Sequence, residues 1–182
     1  MIIFRIRLLI LCLFVFGCSI QSSQYNFVKN KITKNNNQIE TNWRINWLDQ
    51  EIEAYAINDN GNIYFVNFTN FFLIFDGWQV QEVAGLLPQG INMKIKKNGN
   101  NLSYFLNKSF LQDDRCSEWN QKSPLNTVRV LQQICYNDSI DYKYINLIAI
   151  NMVGEIVGMK FKINPSYPSI ILKMDDYNEI NF

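Results

Sequence analysis

The chain has 182 residues, with 17 basic and 16 acidic side chains and no histidine. That near-balance leaves no electrostatic footprint for nucleic acid. The missing histidine excludes Ser-His-Asp and Cys-His catalysis in their usual forms and the common zinc sites; with no Gly-x-Gly-x-x-Gly or P-loop pattern either, no cofactor and no metal is expected.

Residues 1–17 have the layout of a secretory signal: Arg5 and Arg7, an apolar run from Leu8 to Phe16, then Gly17. The run is nine residues long, whereas a helix needs about 20 apolar residues to cross a bilayer. Val15-Phe16-Gly17-Cys18 resembles the lipobox of bacterial lipoproteins. The resemblance covers only this segment, and Phe16 is bulkier than the residue usual there. It implies that the Cys18 thiol receives a diacylglycerol, that residues 1–17 are cut away, and that the new amino group is acylated. Two or three acyl chains anchor stably where one binds marginally. Ser19 stands where an Asp would mark inner-membrane retention, so the resemblance also implies the periplasmic face of a Gram-negative outer membrane.

Residues 18–38 are polar, carry Lys29, Lys31 and Lys34, and lack periodicity. They read as a tether with a reach of roughly 25 Å; Tyr25, Phe27 and Val28 leave open an ordered first strand instead. From residue 39 to residue 182 the pattern is that of one β-rich domain, long enough for a real core.

Trp43, Ile45 and Trp47 alternate with polar residues, the period of a half-buried strand. Ile52 to Ile57 and Ile63 to Phe68 flank Asn58-Asp59-Asn60-Gly61-Asn62, a turn of residues that tolerate positive φ. Phe71 to Phe75 and Trp78 to Val83 flank Asp76-Gly77, which favours a two-residue type I′ hairpin. Ile91, Met93 and Ile95 lead to Asn98-Gly99, and Leu102 to Leu106 returns. Tyr144 to Ile150, Ile156 to Ile163 and Ser169 to Met174 complete the series, with Pro165 and Pro168 at strand ends. Ala56-Ile57-Asn58-x-x-Gly61 recurs as Ala149-Ile150-Asn151-x-x-Gly154. Gly61, Gly99 and Gly154 lie 38 and 55 residues apart, too irregular for propeller blades, so two similar hairpins explain the echo more simply.

One helix is expected over about residues 124–134. Ser123-Pro124 fits an N-cap followed by proline at the first helical position, and Val128, Leu131 and Ile134 fall at helical spacing. The rival reading is a strand using Val128, Val130, Ile134 and Tyr136. The fold expected is therefore mainly β, an antiparallel sandwich or small barrel with one short helix.

Of four cysteines, Cys12 leaves with the signal and Cys18 carries lipid. Cys116 and Cys135 remain, and an oxidising periplasm makes their disulfide the default. Trp119 lies inside that loop. Aromatic residues crowd Tyr64, Phe65, Phe68, Phe71, Phe72, Phe75 and Trp78, which in a strand pair places rings on both faces. Trp119 and Trp78 are the candidate contact residues for a protein or glycan partner. Lys94, Lys96 and Lys97 are the densest basic group and read as a solvated face. Asp113-Asp114 with Glu118, and Asp175-Asp176 with Glu179, are the acidic clusters; neighbours on a strand point to opposite faces, which weakens either as a catalytic pair. The expected function is a non-catalytic envelope lipoprotein held in the bilayer through Cys18 and binding a protein or cell-wall partner. The alternatives are a periplasmic inhibitor or immunity protein and a carboxylate-dependent hydrolase.

Overall fold

The computed structural model describes residues 42–67, 71–86, 92–122, 128–164, 166–177 and 179–182. Cys18, the signal, the tether, Phe68, Ile91, the Ser123-Pro124 pair and Pro165 lie outside the described residues.

Alternation becomes strand pairing from the first described residue. Trp43, Ile45 and Trp47 of β1 (Asn42–Trp47) are buried while Arg44 and Asn46 face outward. β2 (Gln50–Asp59), β3 (Asn62–Val66), β4 (Phe72–Phe75) and β5 (Val80–Ala84) follow, each antiparallel to the last. β6 (Asn92–Asn98), β7 (Asn101–Leu106) and β8 (Ser109–Cys116) extend the meander. β9 (Asn120–Gln121) and β8 both pair with β10 (Val128–Asn137). β11 (Tyr142–Asn151), β12 (Ile156–Phe161) and β13 (Ile170–Met174) lead back to β1, and β11 also pairs with β10. The sheet thus closes as a 12-stranded antiparallel barrel, with β9 continuing the β8 edge along β10. Closure removes the exposed edges of an open sheet.

The helix expected over residues 124–134 does not form where it can be seen: Val128 begins a ten-residue strand. Among the described residues the one helical element is a 3-10 turn, Asp175–Tyr177. Residues 128–134 carry apolar side chains on both faces, Val128, Val130 and Ile134 on one and Leu131 on the other, and that produced the helical spacing. Val128 and Val130 join Leu147, Ala149 and Val157 in a small outer core under Ile180, Tyr177 and Phe182. Leu131 and Cys135 face the main core. β8 was not anticipated, because Asp113-Asp114 reads as a loop; one carboxylate is exposed and the other buried.

The Asp76-Gly77 hairpin also differs from the type I′ expectation. Asp76 Oδ1 accepts the amides of Trp78 and Gln79 at 2.9 and 2.7 Å, and Asp76 N donates to the Gln79 carbonyl at 3.1 Å. The side chain thereby stabilises a longer connection, so Trp78 sits in the turn rather than in β5. The two echoed hairpins are β2–β3 and β11–β12, both turning on a glycine of positive φ, Gly61 at 82° and Gly154 at 95°.

The barrel interior is filled. Phe75 on β4 meets Phe161 on β12 across the ring at 5.6 Å, and Trp43 packs edge-on to Phe65 at 4.8 Å. Burying each such side chain contributes about 1.5–3 kcal/mol. The chain between β12 and β13 folds inward over one end. Ile163 is fully buried there, and Trp47 Nε1 donates to the Pro168 carbonyl at 3.0 Å. The opposite end holds the start of β1 and the turns after β2, β4, β6 and β11.

Candidate functional site: an aromatic rim and the polar network behind it

Strand register decides which sequence candidates meet. Cys116 and Cys135 face each other across β8 and β10 and form a disulfide. The bond from Ser117 N to the Ile134 carbonyl at 2.8 Å flanks that pair, the pattern of a non-hydrogen-bonded cross-strand site where side chains approach most closely. The expected bridge is thus present. Directly after it, β9 returns to β10 at Gln121 and Asn120. Residues 117–119 are therefore clamped on both sides.

That clamp places Trp119 over the Asn42 end of the barrel. Its ring lies 6.1 Å from Phe161 inside and 6.3 Å from Trp78 outside. Trp119 is partly buried against the core, whereas Trp78 is 51% exposed. The two candidate contact residues, distant in sequence, form one rim; Trp78 is presented to solvent and Trp119 supports it from beneath. The adjacent Gln79 is buried, and its Nε2 has no hydrogen-bond partner. The turn after β11, at the same end, exposes Met152 and Val153. The remaining crowded aromatics divide between faces as alternation requires. Phe65, Phe71 and Phe75 enter the main core, while Tyr64 and Phe72 belong to a smaller outer cluster with Val66.

Behind the clamp the interior is polar. Asp114 is 1% exposed. Its Oδ1 accepts from Gln112 Nε2 and Asn137 Nδ2, both at 2.6 Å, and its Oδ2 accepts from the Tyr144 hydroxyl at 2.6 Å. A carboxylate only accepts, so Tyr144 gives its proton there and receives one from the Tyr104 hydroxyl at 2.7 Å. Tyr104 also reaches the Lys162 carbonyl at 3.3 Å. Burial is the first cause raising both phenols above their ordinary range; for Tyr144 the neighbouring Tyr104 and the bond to Asp114 add to it. The buried Lys162 places Nζ 5.1 Å from the Tyr142 ring, which stacks on Tyr144 at 6.0 Å. Asn146 then links Lys162 N, at 3.0 Å, to Gln133 and Cys135. Such a network holds β7, β8, β10 and β11 in one register, because each buried polar group depends on the next.

The acidic clusters separate. Asp113 and Glu118 are exposed while Asp114 is enclosed. Asp175 accepts from Arg44 Nε at 2.8 Å, and Asp176 and Glu179 are exposed. Among the described residues no group of three or more Cys, Asp or Glu is placed to hold a metal ion.

No protein-family model matches the chain, and no curated protein matches it. Its fold is similar to that of the hypothetical lipoprotein YmcC from Escherichia coli (K12), at 10% identity and a TM-score of 0.55. The alignment covers 85% of this chain and 95% of that one.

Proposed function

We propose that the processed chain is a lipid-anchored envelope lipoprotein whose barrel is a non-catalytic binding module, and that it engages a protein or cell-wall partner through the Trp78 rim. The lipobox-like Val15-Phe16-Gly17-Cys18 supports the anchor. The fold likeness to a hypothetical lipoprotein is consistent with it. Ser19 favours the periplasmic face of an outer membrane.

The observation that carries the binding reading is the pairing of Trp78 with Trp119. A tryptophan left half exposed loses much of its burial free energy, yet this one is backed by a second indole and by a disulfide clamp. Tryptophans on a rigid support are frequent anchors in interfaces. Met152 and Val153 are further exposed apolar side chains at the same end.

The experiment has two arms. Cys18→Ser abolishes labelling by a fatty-acid probe and leaves uncleaved precursor; unchanged processing rejects the anchor. A photo-crosslinker at position 78 of the full chain, expressed in the envelope, yields a discrete adduct that a crosslinker at the exposed, distant position 140 does not. Equal patterns at both positions, or hydrolysis of cell-wall glycan by the purified protein, reject the binding-module reading.

A further inference from the structure

A concavity of about 720 Å³ lies on the outer face of β5–β7, away from the Trp78 rim. Its size falls within the roughly 300–1,000 Å³ typical of small-ligand sites. Lys94 and Lys96 point into solvent from alternate positions of β6, and Lys108 joins them from the β7–β8 turn. The register brings these residues together: Glu82 pairs with Lys94, and Lys94 pairs with Phe105.

The charges do not cancel. Glu82 is the one carboxylate lining the concavity, 4.0 Å from Lys94. Among the described residues neither Lys96 nor Lys108 has a carboxylate at ion-pair distance. Lys96 Nζ instead stands 5.0 Å above the Phe105 ring. Asn92 holds Glu82 in place beside the lysines. Its Nδ2 donates to Glu82 Oε1 at 2.7 Å, which sets the amide's orientation. Its Oδ1 is buried and accepts no hydrogen bond. An unpartnered buried acceptor costs free energy, and being enclosed it is not a ligand contact. Beside the lysines, Phe105 and Phe110 pack edge to face at 5.8 Å. Phe110 and Leu111 are exposed there because a register shift admits an extra residue into β8.

We propose that this groove binds a phosphate-bearing anion of the glycerol-phosphate type, with the phosphate among Lys94, Lys96 and Lys108. A phosphate suits the site better than a carboxylate. It presents more oxygens and up to two charges to three ammonium groups, and lysine ammonium groups are common phosphate partners. The same chemistry occurs in a soluble glycerol phosphate and in the headgroup of phosphatidylglycerol, whose chains would meet Phe110 and Leu111.

The test titrates the full chain in neutral detergent micelles with glycerol 3-phosphate and with inorganic phosphate by calorimetry. Saturable binding of both glycerol 3-phosphate and inorganic phosphate is expected, because the lysines recognise the phosphate. Lys96→Gln with Lys108→Gln weakens it about tenfold or more, a loss of about 1.4 kcal/mol by the tenfold conversion. Both lysines are exposed, so an unchanged melting temperature verifies that the variant folds. Absence of saturation, or affinity unaltered in the folded double variant, overturns the proposal. Micelles doped with phosphatidylglycerol compete with the free ligand if the headgroup is the source; competition equal to that of phosphatidylcholine assigns the site to the soluble anion. None of these readouts involves Trp78 or Cys18, so failure here leaves the rim and the anchor untouched.

Discussion

Tyr144→Phe removes one oxygen from the barrel interior and nothing else. The ring remains to stack on Tyr142, 6.0 Å away. Asp114 Oδ2 loses its 2.6 Å donor, while Oδ1 keeps Gln112 and Asn137. Tyr104 loses its 2.7 Å partner and falls back on the Lys162 carbonyl at 3.3 Å. Leaving an acceptor on a charged buried group unsatisfied costs about 3 kcal/mol. Tyr104→Phe removes the bond to Tyr144 and the longer 3.3 Å contact to the Lys162 carbonyl, but Tyr144 still donates to Asp114, and the expected cost is about 1 kcal/mol. With a urea slope of about 2 kcal/mol/M, the midpoint falls by about 1.5 M in the first variant and about 0.5 M in the second. Urea unfolding at neutral pH with the disulfide intact measures both. Equal costs, or a larger cost for Tyr104→Phe, would refute the assignment of Tyr144 as the donor on which Asp114 depends.

Alkaline pH probes the same network. Burial raises Tyr104 and Tyr144 above the ordinary phenol value of 10.0. Unfolding restores that value, so the stability linked to their protonated forms is fully present below about pH 10 and is lost as the pH rises further. Two of the nine tyrosines should therefore ionise together with unfolding when absorbance and circular dichroism are followed in parallel; ionisation of all nine in the native protein contradicts this. Reducing the Cys116–Cys135 bridge, which joins residues 19 apart, should cost about 3 kcal/mol. It should also shift Trp119 fluorescence as the clamp on residues 117–119 loosens. A midpoint and spectrum indifferent to reductant would show that the clamp does not depend on the bridge.

Much of the barrel was legible because alternation is a local property. β1 and β6 fall where apolar and polar residues alternate, β3, β7, β11 and β13 overlap the apolar runs between turn residues, and the two echoed Asn-x-x-Gly segments both became hairpin turns. Two of the three departures originate in residues buried on the less usual face, and the third in a side chain that bonds the backbone. Val128 and Val130 are covered from outside by the C-terminal segment around Ile180, so β10 carries apolar residues on both sides and imitates a helix. Asp114 is a charge held inside by three donors, so β8 imitates a loop. Asp76 accepts two backbone amides, which lengthened a turn that Asp-Gly alone would make tight.

By itself the sequence determined the β class, the lipobox-like segment at Cys18, the pairing of Cys116 with Cys135, and Trp78 and Trp119 as contact candidates. Those features depend on period, composition and count, which a linear string contains. Only the tertiary structure decided that the sheet closes into a barrel, that Trp119 backs Trp78 at one rim, and that Lys108 joins Lys94 and Lys96 along one outer groove. Each of these depends on cross-strand register, and register is set by which side chains pack together across the closed sheet.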